Sequence, residues 1–193
     1  MMLIGVNAMA QASIGAGFLN STTISKYNSS SNSEASNGFY AGVGYTVPVA
    51  EGLNFTPGVY FEYTAQNGAV DLYFFSATGK QQDMYIDVPL HFSYGFNMGS
   101  GLRFFVYGGP SANVAVASKF TATVGKVSDT IDILEKDSNL KRFDVMLGGG
   151  VGLVFNDIVR FQVGYDWGML NRYAATNYSL HRNQLTAGVA FLF

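Results

Sequence analysis

Residues 159–169 read Val-Arg-Phe-Gln-Val-Gly-Tyr-Asp-Trp-Gly-Met, and this alternation decides the fold. The odd positions are apolar or aromatic: Val159, Phe161, Val163, Tyr165, Trp167 and Met169. The even positions are polar, charged or glycine: Arg160, Gln162, Gly164, Asp166 and Gly168. A period of two is the signature of a strand with one apolar and one polar face. Toward the N-terminus, Asn156-Asp157 between Phe155 and Ile158 predicts a tight turn. The strand before it sets Phe143, Val145, Leu147, Val151, Leu153 and Phe155 against Arg142, Asp144, Met146, Gly148, Gly150 and Gly152. Toward the C-terminus, Leu185, Ala187, Val189, Phe191 and Phe193 alternate with Gln184, Thr186, Gly188, Ala190 and Leu192.

The rhythm recurs upstream. Met84 to Phe96, Leu102 to Val116, Phe55 to Tyr63, Phe39 to Val47 and, more weakly, Ile14 to Phe18 complete eight strands. Their connections alternate in length. Three are short, at 50–53, 97–101 and 156–157, and four are longer and polar, at roughly 20–37, 66–82, 119–139 and 171–180. Short turns on one rim and long loops on the other is the outer-membrane barrel arrangement. The Ser/Asn-rich stretch 21–37 reads as a loop, and the stretch containing Thr121, Thr123, Thr130 and Ile131 as a continuing hairpin. The predicted fold class is all-β: an eight-stranded antiparallel up-and-down transmembrane β-barrel. Pro48, Pro57, Pro89 and Pro110 fall inside these strands and are expected at bulges or rims, since proline cannot donate to a ladder.

Composition agrees. Hydrophobic residues make up 48% of the 193, yet charged residues only 12%, where a soluble domain carries about 25%. A surface so poor in charge suits lipid. A net charge of −2 offers no field for nucleic acid. The absence of Cys excludes disulfides, thiolate catalysis and Cys-based zinc sites, and His91 and His181 leave little for a His-based one. No metal and no cofactor is expected.

Sorting the strands by parity places Glu62, Asp87, Asp144 and Asp166 on the inward face with Arg103, Arg142, Arg160 and Arg182. His91, Tyr60, Tyr85, Tyr107, Gln162 and Gln184 accompany them. An eight-stranded lumen is just wide enough for side chains to fill, and charges there must be paired. The expectation is therefore an interior plugged by ion pairs, with a small gated pore as the alternative. A secreted lipocalin-like barrel would turn the same charges outward, an odd surface with almost no Lys among them. Phe155, Phe161, Tyr165, Trp167 and Tyr173 are expected in aromatic interface girdles.

Other motifs carry less. Gly148–Gly152 lacks the Lys-Ser/Thr ending of a phosphate loop and reads as room for bulky interior neighbours. Asp144 and Asp166 read as ion-pair partners rather than catalytic carboxylates. Ser179 and His181, two apart near the outer rim, lack a third orienting group for lipid hydrolysis. No catalytic residue is expected. Ala8-Met9-Ala10 matches the small-residue pattern before a signal-peptidase cut, so 1–10 reads as a signal-peptide remnant, short and without a basic region. Residues 11–193 then form the single barrel domain.

Taken together, Asp87-Val88-Pro89-Leu90, Gly108-Gly109-Pro110, Arg142-Phe143-Asp144 with Gly148–Gly152, Tyr165-Asp166-Trp167-Gly168-Met169-Leu170-Asn171 and terminal Phe193 resemble the PorT-like small outer-membrane β-barrel family, of OmpA-type and OmpX-type architecture. The resemblance implies the outer membrane of a Gram-negative bacterium and assembly through a C-terminal aromatic signal, Phe191 and Phe193. The expected partners are outer-membrane lipid and the barrel-assembly machinery, and through the long loops another envelope protein. The resemblance carries over no catalytic residue. The expected role is structural or interactive, through the long extracellular loops. A porin-like channel is the alternative, and a lipid-modifying barrel enzyme stands behind it.

Overall fold

The computed structural model describes residues 10–72, 75–124, 127–136, 139–174 and 177–193. Nine strands and one helical turn follow in order. They are β1 (Gln11–Tyr27), β2 (Ser30–Ala50), β3 (Leu53–Leu72), β4 (Phe75–Gly99), β5 (Leu102–Val124), β6 (Val127–Asp132), α1 (Ile133–Lys136), β7 (Phe143–Phe155), β8 (Val159–Gly168) and β9 (Tyr178–Leu192). Eight of them form a closed antiparallel ring, β4-β3-β2-β1-β9-β8-β7-β5, sealed by β4 against β5. Closure is demanded by lipid, where an open edge would leave backbone N–H and C=O groups unpaired at several kcal/mol each. The terminal strands supply one seam: β1 and β9 pair from Ser13↔Leu192 to Tyr27↔Tyr178, and Ala12 and Phe193 exchange backbone hydrogen bonds of 3.0 Å.

The apolar parity faces outward, as the alternation predicts. Ile14, Phe18, Phe39, Val43, Val59, Phe61, Phe92, Val106, Val114, Leu147, Val151, Phe161, Val163 and Leu185 are all exposed. This belt stops at Phe18 on β1 and Phe39 on β2, whereas the strands continue. Membrane crossing needs about 9–11 residues per strand, yet β4 has 25 and β5 has 23.

The surplus corrects the expected loops. Residues 20–37 are not a loop: β1 and β2 stay paired from Asn20↔Asn37 to Tyr27↔Ser30 around a tight turn with Asn28 at φ 50°. Residues 66–82 likewise continue the β3–β4 ladder to Leu72↔Phe75. Alternating Ser, Thr and Asn can satisfy a ladder in water as readily as a turn, and pairing already begun in the membrane propagates outward. The expected hairpin at 119–132 is present: β6 pairs with β5 from Lys119↔Asp132 to Val124↔Val127, adding a ninth strand above the ring.

The prolines behave in two ways. Pro48 adjoins a register shift near the short-turn rim. Pro57, Pro89 and Pro110 sit where ladder pairs are skipped without a change of register, between Gly44/Val47 and Phe55/Gly58, between Pro57/Tyr60 and Asp87/Leu90, and between Pro89/Phe92 and Gly108/Ser111. They are gaps rather than bulges, because each removes a donor without inserting a residue.

Candidate functional site

The ring interior is polar, and its center is a knot around Arg182. The guanidinium is 1% exposed and spends every nitrogen. Nε donates to Ser21 Oγ at 2.7 Å, Nη1 to Asn113 Oδ1 at 3.0 Å and Nη2 to Glu62 Oε2 at 2.8 Å. Its carbon lies 3.9 Å from the centroid of Tyr85, giving the cation a ring face as well. Glu62, 2% exposed, also accepts from Asn113 Nδ2 at 3.2 Å and Gln184 Nε2 at 3.1 Å. Asn113 Nδ2 reaches Asp87 Oδ1 at 3.3 Å. The knot therefore ties β1, β3, β4, β5 and β9 across the lumen. Local alternation aims all of these side chains inward.

On the long-hairpin side of the knot the mouth is covered. Arg172, 5% exposed, lies over the other reach of Tyr85 at 5.3 Å. Leu134 of α1 packs on Tyr85 and Ala115 in a small apolar cluster. Asp132 Oδ1 caps that turn by accepting from Leu134 N at 2.9 Å. Asp144, 1% exposed, accepts from Leu170 N at 3.2 Å and lies within electrostatic reach of Arg172 and Arg182.

On the short-turn side the interior is open. A cavity of about 820 Å³ runs from the rim at Gln11, Glu51, Arg103 and Asp157 up to Glu62, Asp87, Asp166 and Gln184. Arg160 lies along it, donating to Thr46 Oγ1 at 3.0 Å with its guanidinium 5.7 Å from the Phe105 centroid. His91 packs at a tilt against Tyr107, with ring centroids 5.2 Å apart. The barrel is a cup with a closed outer end, and the polar plug expected in the interior is confined to that end.

The expected ion-pair network among four acids and four arginines is corrected. Among the described residues one buried pair forms, Glu62–Arg182, and Arg103 pairs with Asp157 at 3.1 Å on the exposed rim. Arg142 is not in the interior: it is exposed, just before β7 begins at Phe143, where the ladder no longer enforces the alternation. Arg172 occupies the inward role that parity assigned to Arg142. Parity could not reveal it, because Arg172 follows the end of β8 and is carried inward by a loop whose Asn171 Oδ1 accepts from Tyr173 N and Leu180 N. Phe155, Phe161 and Trp167 are exposed on the belt, with Tyr165 4.8 Å from Trp167 between centroids. Tyr173 stands apart from that girdle, above the membrane belt, bridged to Leu140 and 4.7 Å from Tyr178. Phe191 and Phe193 are exposed at the short-turn rim. His181 Nδ1 lies 3.3 Å from the carbonyl of Gly168.

Known proteins place this geometry. In solved structures, the chain is similar to Ail, the attachment invasion locus protein of Yersinia pestis, in complex with the heparin analogue sucrose octasulfate. The TM-score is 0.51 and the identity 12%, over 95% of this chain and 99% of that one. Neisserial surface protein A matches with a TM-score of 0.42 and 14% identity, over 93% and 97%. The N-terminal β-barrel domain of Pseudomonas aeruginosa OprF matches with 0.35 and 12%, over 92% and 97%. No curated protein sequence matches the chain. The family model for the outer membrane protein β-barrel domain matches residues 7–173. The chain belongs to the outer membrane protein β-barrel domain family, and its place is the outer membrane of a Gram-negative bacterium.

Proposed function

We propose that this protein is a non-conducting barrel of structural or interactive role, displaying its extracellular hairpins to a partner in the envelope or outside the cell. The observation that carries the reading is the Arg182 knot, which spans the lumen while β1 and β2 rise above the lipid belt. From Asn20 to Tyr27 that hairpin extends roughly 23 Å. Two sheets result, β9-β1-β2 and β3-β4-β5-β6, and they part above Asn37↔Ala65. Where they part, β2 above Asn37 and β3 above Ala65 have no strand partner on their facing sides among the described residues, a surface suited to strand addition by a peptide.

Within the family, the Asp87–Leu90, Gly108–Pro110 and Tyr165–Asn171 motifs support placement in the PorT-like group. In this reading the mature chain begins at Gln11, the assembly machinery engages Phe191 and Phe193, and no catalytic chemistry is performed. Planar-bilayer recording of purified protein is the test. Wild type is expected to show no steady ion current, and Arg182→Ala to admit one. A steady current through wild type would replace this reading with the porin-like one.

A further inference from the structure

Outside the ring, the rim above the lipid belt is unevenly charged. Lys80 on β4, Lys119 on β5, and Lys141 and Arg142 just before β7 are all exposed, on neighbouring strands. The ladder fixes the side on which the first two stand. Ser118 donates to Asp83 on the inner face, so Lys119 and its ladder partner Gln82 face outward. There Gln82 Nε2 donates to the Tyr63 hydroxyl. Lys80 lies two residues from Gln82 and shares its face.

Their height matters as much as their side. Lys119 comes one outward step after Ala117, which pairs with Met84, and Lys80 two steps after Met84. Lys141 comes one step after Phe143, which is 48% exposed on the belt, with Arg142 between them. At a strand tilt of about 45°, one step of two residues rises about 5 Å and two steps about 10 Å. The headgroup layer over the hydrocarbon is about 5–8 Å deep. Lys119, Lys141 and Arg142 therefore stand within it, and Lys80 at its upper edge. On β1, β2, β3 and β9 the first two outward steps beyond Phe18, Phe39, Tyr63 and Leu185 carry no Lys or Arg.

The arc lacks protein counter-charge. None of its four cations forms an ion pair among the described residues. Asp132 lies opposite Lys119 in the β5–β6 ladder and does not reach it at ion-pair distance. Lys80 and Lys119 are diagonal neighbours across β4–β5, about 7–8 Å apart, where like charges repel. An anion lying over the arc relieves that repulsion. At headgroup height in the outer leaflet, the anion at hand is the phosphate of a phosphorylated glycolipid, and basic side chains at this level are suited to anionic headgroups.

We propose that the outward arc Lys80, Lys119, Lys141 and Arg142 binds the phosphate groups of an outer-leaflet glycolipid, fixing which side of the barrel that lipid covers. NMR titration of folded protein in non-ionic micelles with diphosphoryl lipid A tests it, with dephosphorylated lipid A and inorganic phosphate as controls. Saturable shifts at the amides of Lys119, Lys141 and Arg142 are expected, with none from either control at equal concentration. Removing the three charges together, Lys119→Gln, Lys141→Gln and Arg142→Gln, should weaken binding about a hundredfold, at about fivefold per cation. Lys26→Gln, far up the β1–β2 hairpin, should leave it unchanged. If the triple variant fails to fold, the wild-type contrast between phosphorylated and dephosphorylated lipid decides. No saturable shift, an equal response to dephosphorylated lipid, or a triple variant that binds like wild type would each overturn the proposal. The same shifts from inorganic phosphate would also overturn it, since the arc would then take the free ion rather than the lipid.

Discussion

At the scale of single residues, one guanidinium does what the sequence divided among four. Arg182 makes three hydrogen bonds and a ring contact at a level of the lumen where it is almost fully buried. Removing one partner of a buried pair typically costs about 3–5 kcal/mol, because the other charge stays buried. Arg182→Ala should therefore lower the denaturant midpoint well below that of Val189→Ala, which trims part of one side chain in the barrel wall. Arg142→Ala, at an exposed position, should leave it within about 0.5 kcal/mol. Urea titration of folded protein in micelles, followed by loss of heat-modifiable migration, measures all three. A midpoint for Arg182→Ala no lower than that for Arg142→Ala would remove the knot from its stabilising role. A second residue-scale expectation concerns Gly150. A Cβ there would meet the Val163 carbonyl and lie 2.8 Å from Cζ of Tyr107. Overpacking of this kind costs about 1–3 kcal/mol, so Gly150→Val should be less stable than Gly68→Val, whose Cβ would meet nothing within 4 Å.

Among the elements, β1 and β9 carry the closure. Phe193 is 72% exposed at the rim, and its backbone exchanges hydrogen bonds with Ala12. Phe193→Asp puts a charge at the apolar edge of the last seam. Lower amounts of folded, heat-modifiable protein in outer-membrane fractions are expected, with synthesis unchanged. Normal amounts would count against an assembly role for Phe191 and Phe193. The hairpins obey different physics. Shortening the β1–β2 hairpin by deleting residues 23–34 removes ladder above the lipid belt and leaves Phe18↔Phe39 intact. The barrel is expected to insert normally. Failure to insert, read by the same fractionation, would show that the projecting ladder is needed for folding rather than for display.

For the whole molecule, the barrel divides into a closed outer end and an open inner one. The closed end combines the Arg182 knot with the lid of Leu134 and Arg172. That division predicts accessibility. A cysteine placed at Thr56, which lines the cavity, should react with a membrane-impermeant maleimide from the periplasm and not in intact cells. A cysteine at Ser31, in the projecting hairpin, should react in intact cells. The reverse pattern would invert the barrel's orientation. N-terminal sequencing of native protein checks the cut before Gln11.

The alternation 159–169 was enough to settle strand, parity and, repeated eight times, the closed barrel. A period of two assigns a face to every side chain once one face must meet lipid. For that reason Glu62, Asp87, Asp144, Asp166, Arg160 and Arg182 could be placed inside before any contact was known. Parity says nothing about stagger between strands, so it could not show that Arg182 pairs with Glu62 while Asp87 and Asp166 form no ion pair among the described residues. Nor does it reach past the ends of strands. Arg142 turned out exposed and Arg172 buried, because the loops that carry them are placed by long-range contacts rather than by local period. The hairpins at 20–37 and 66–82 escaped a sequence reading for a related reason. Above the lipid both faces of a strand meet water, so the apolar alternation that marks a strand disappears although the ladder continues. The open cup, too, belongs to tertiary structure alone, since the space left inside depends on how far each side chain reaches across the ring.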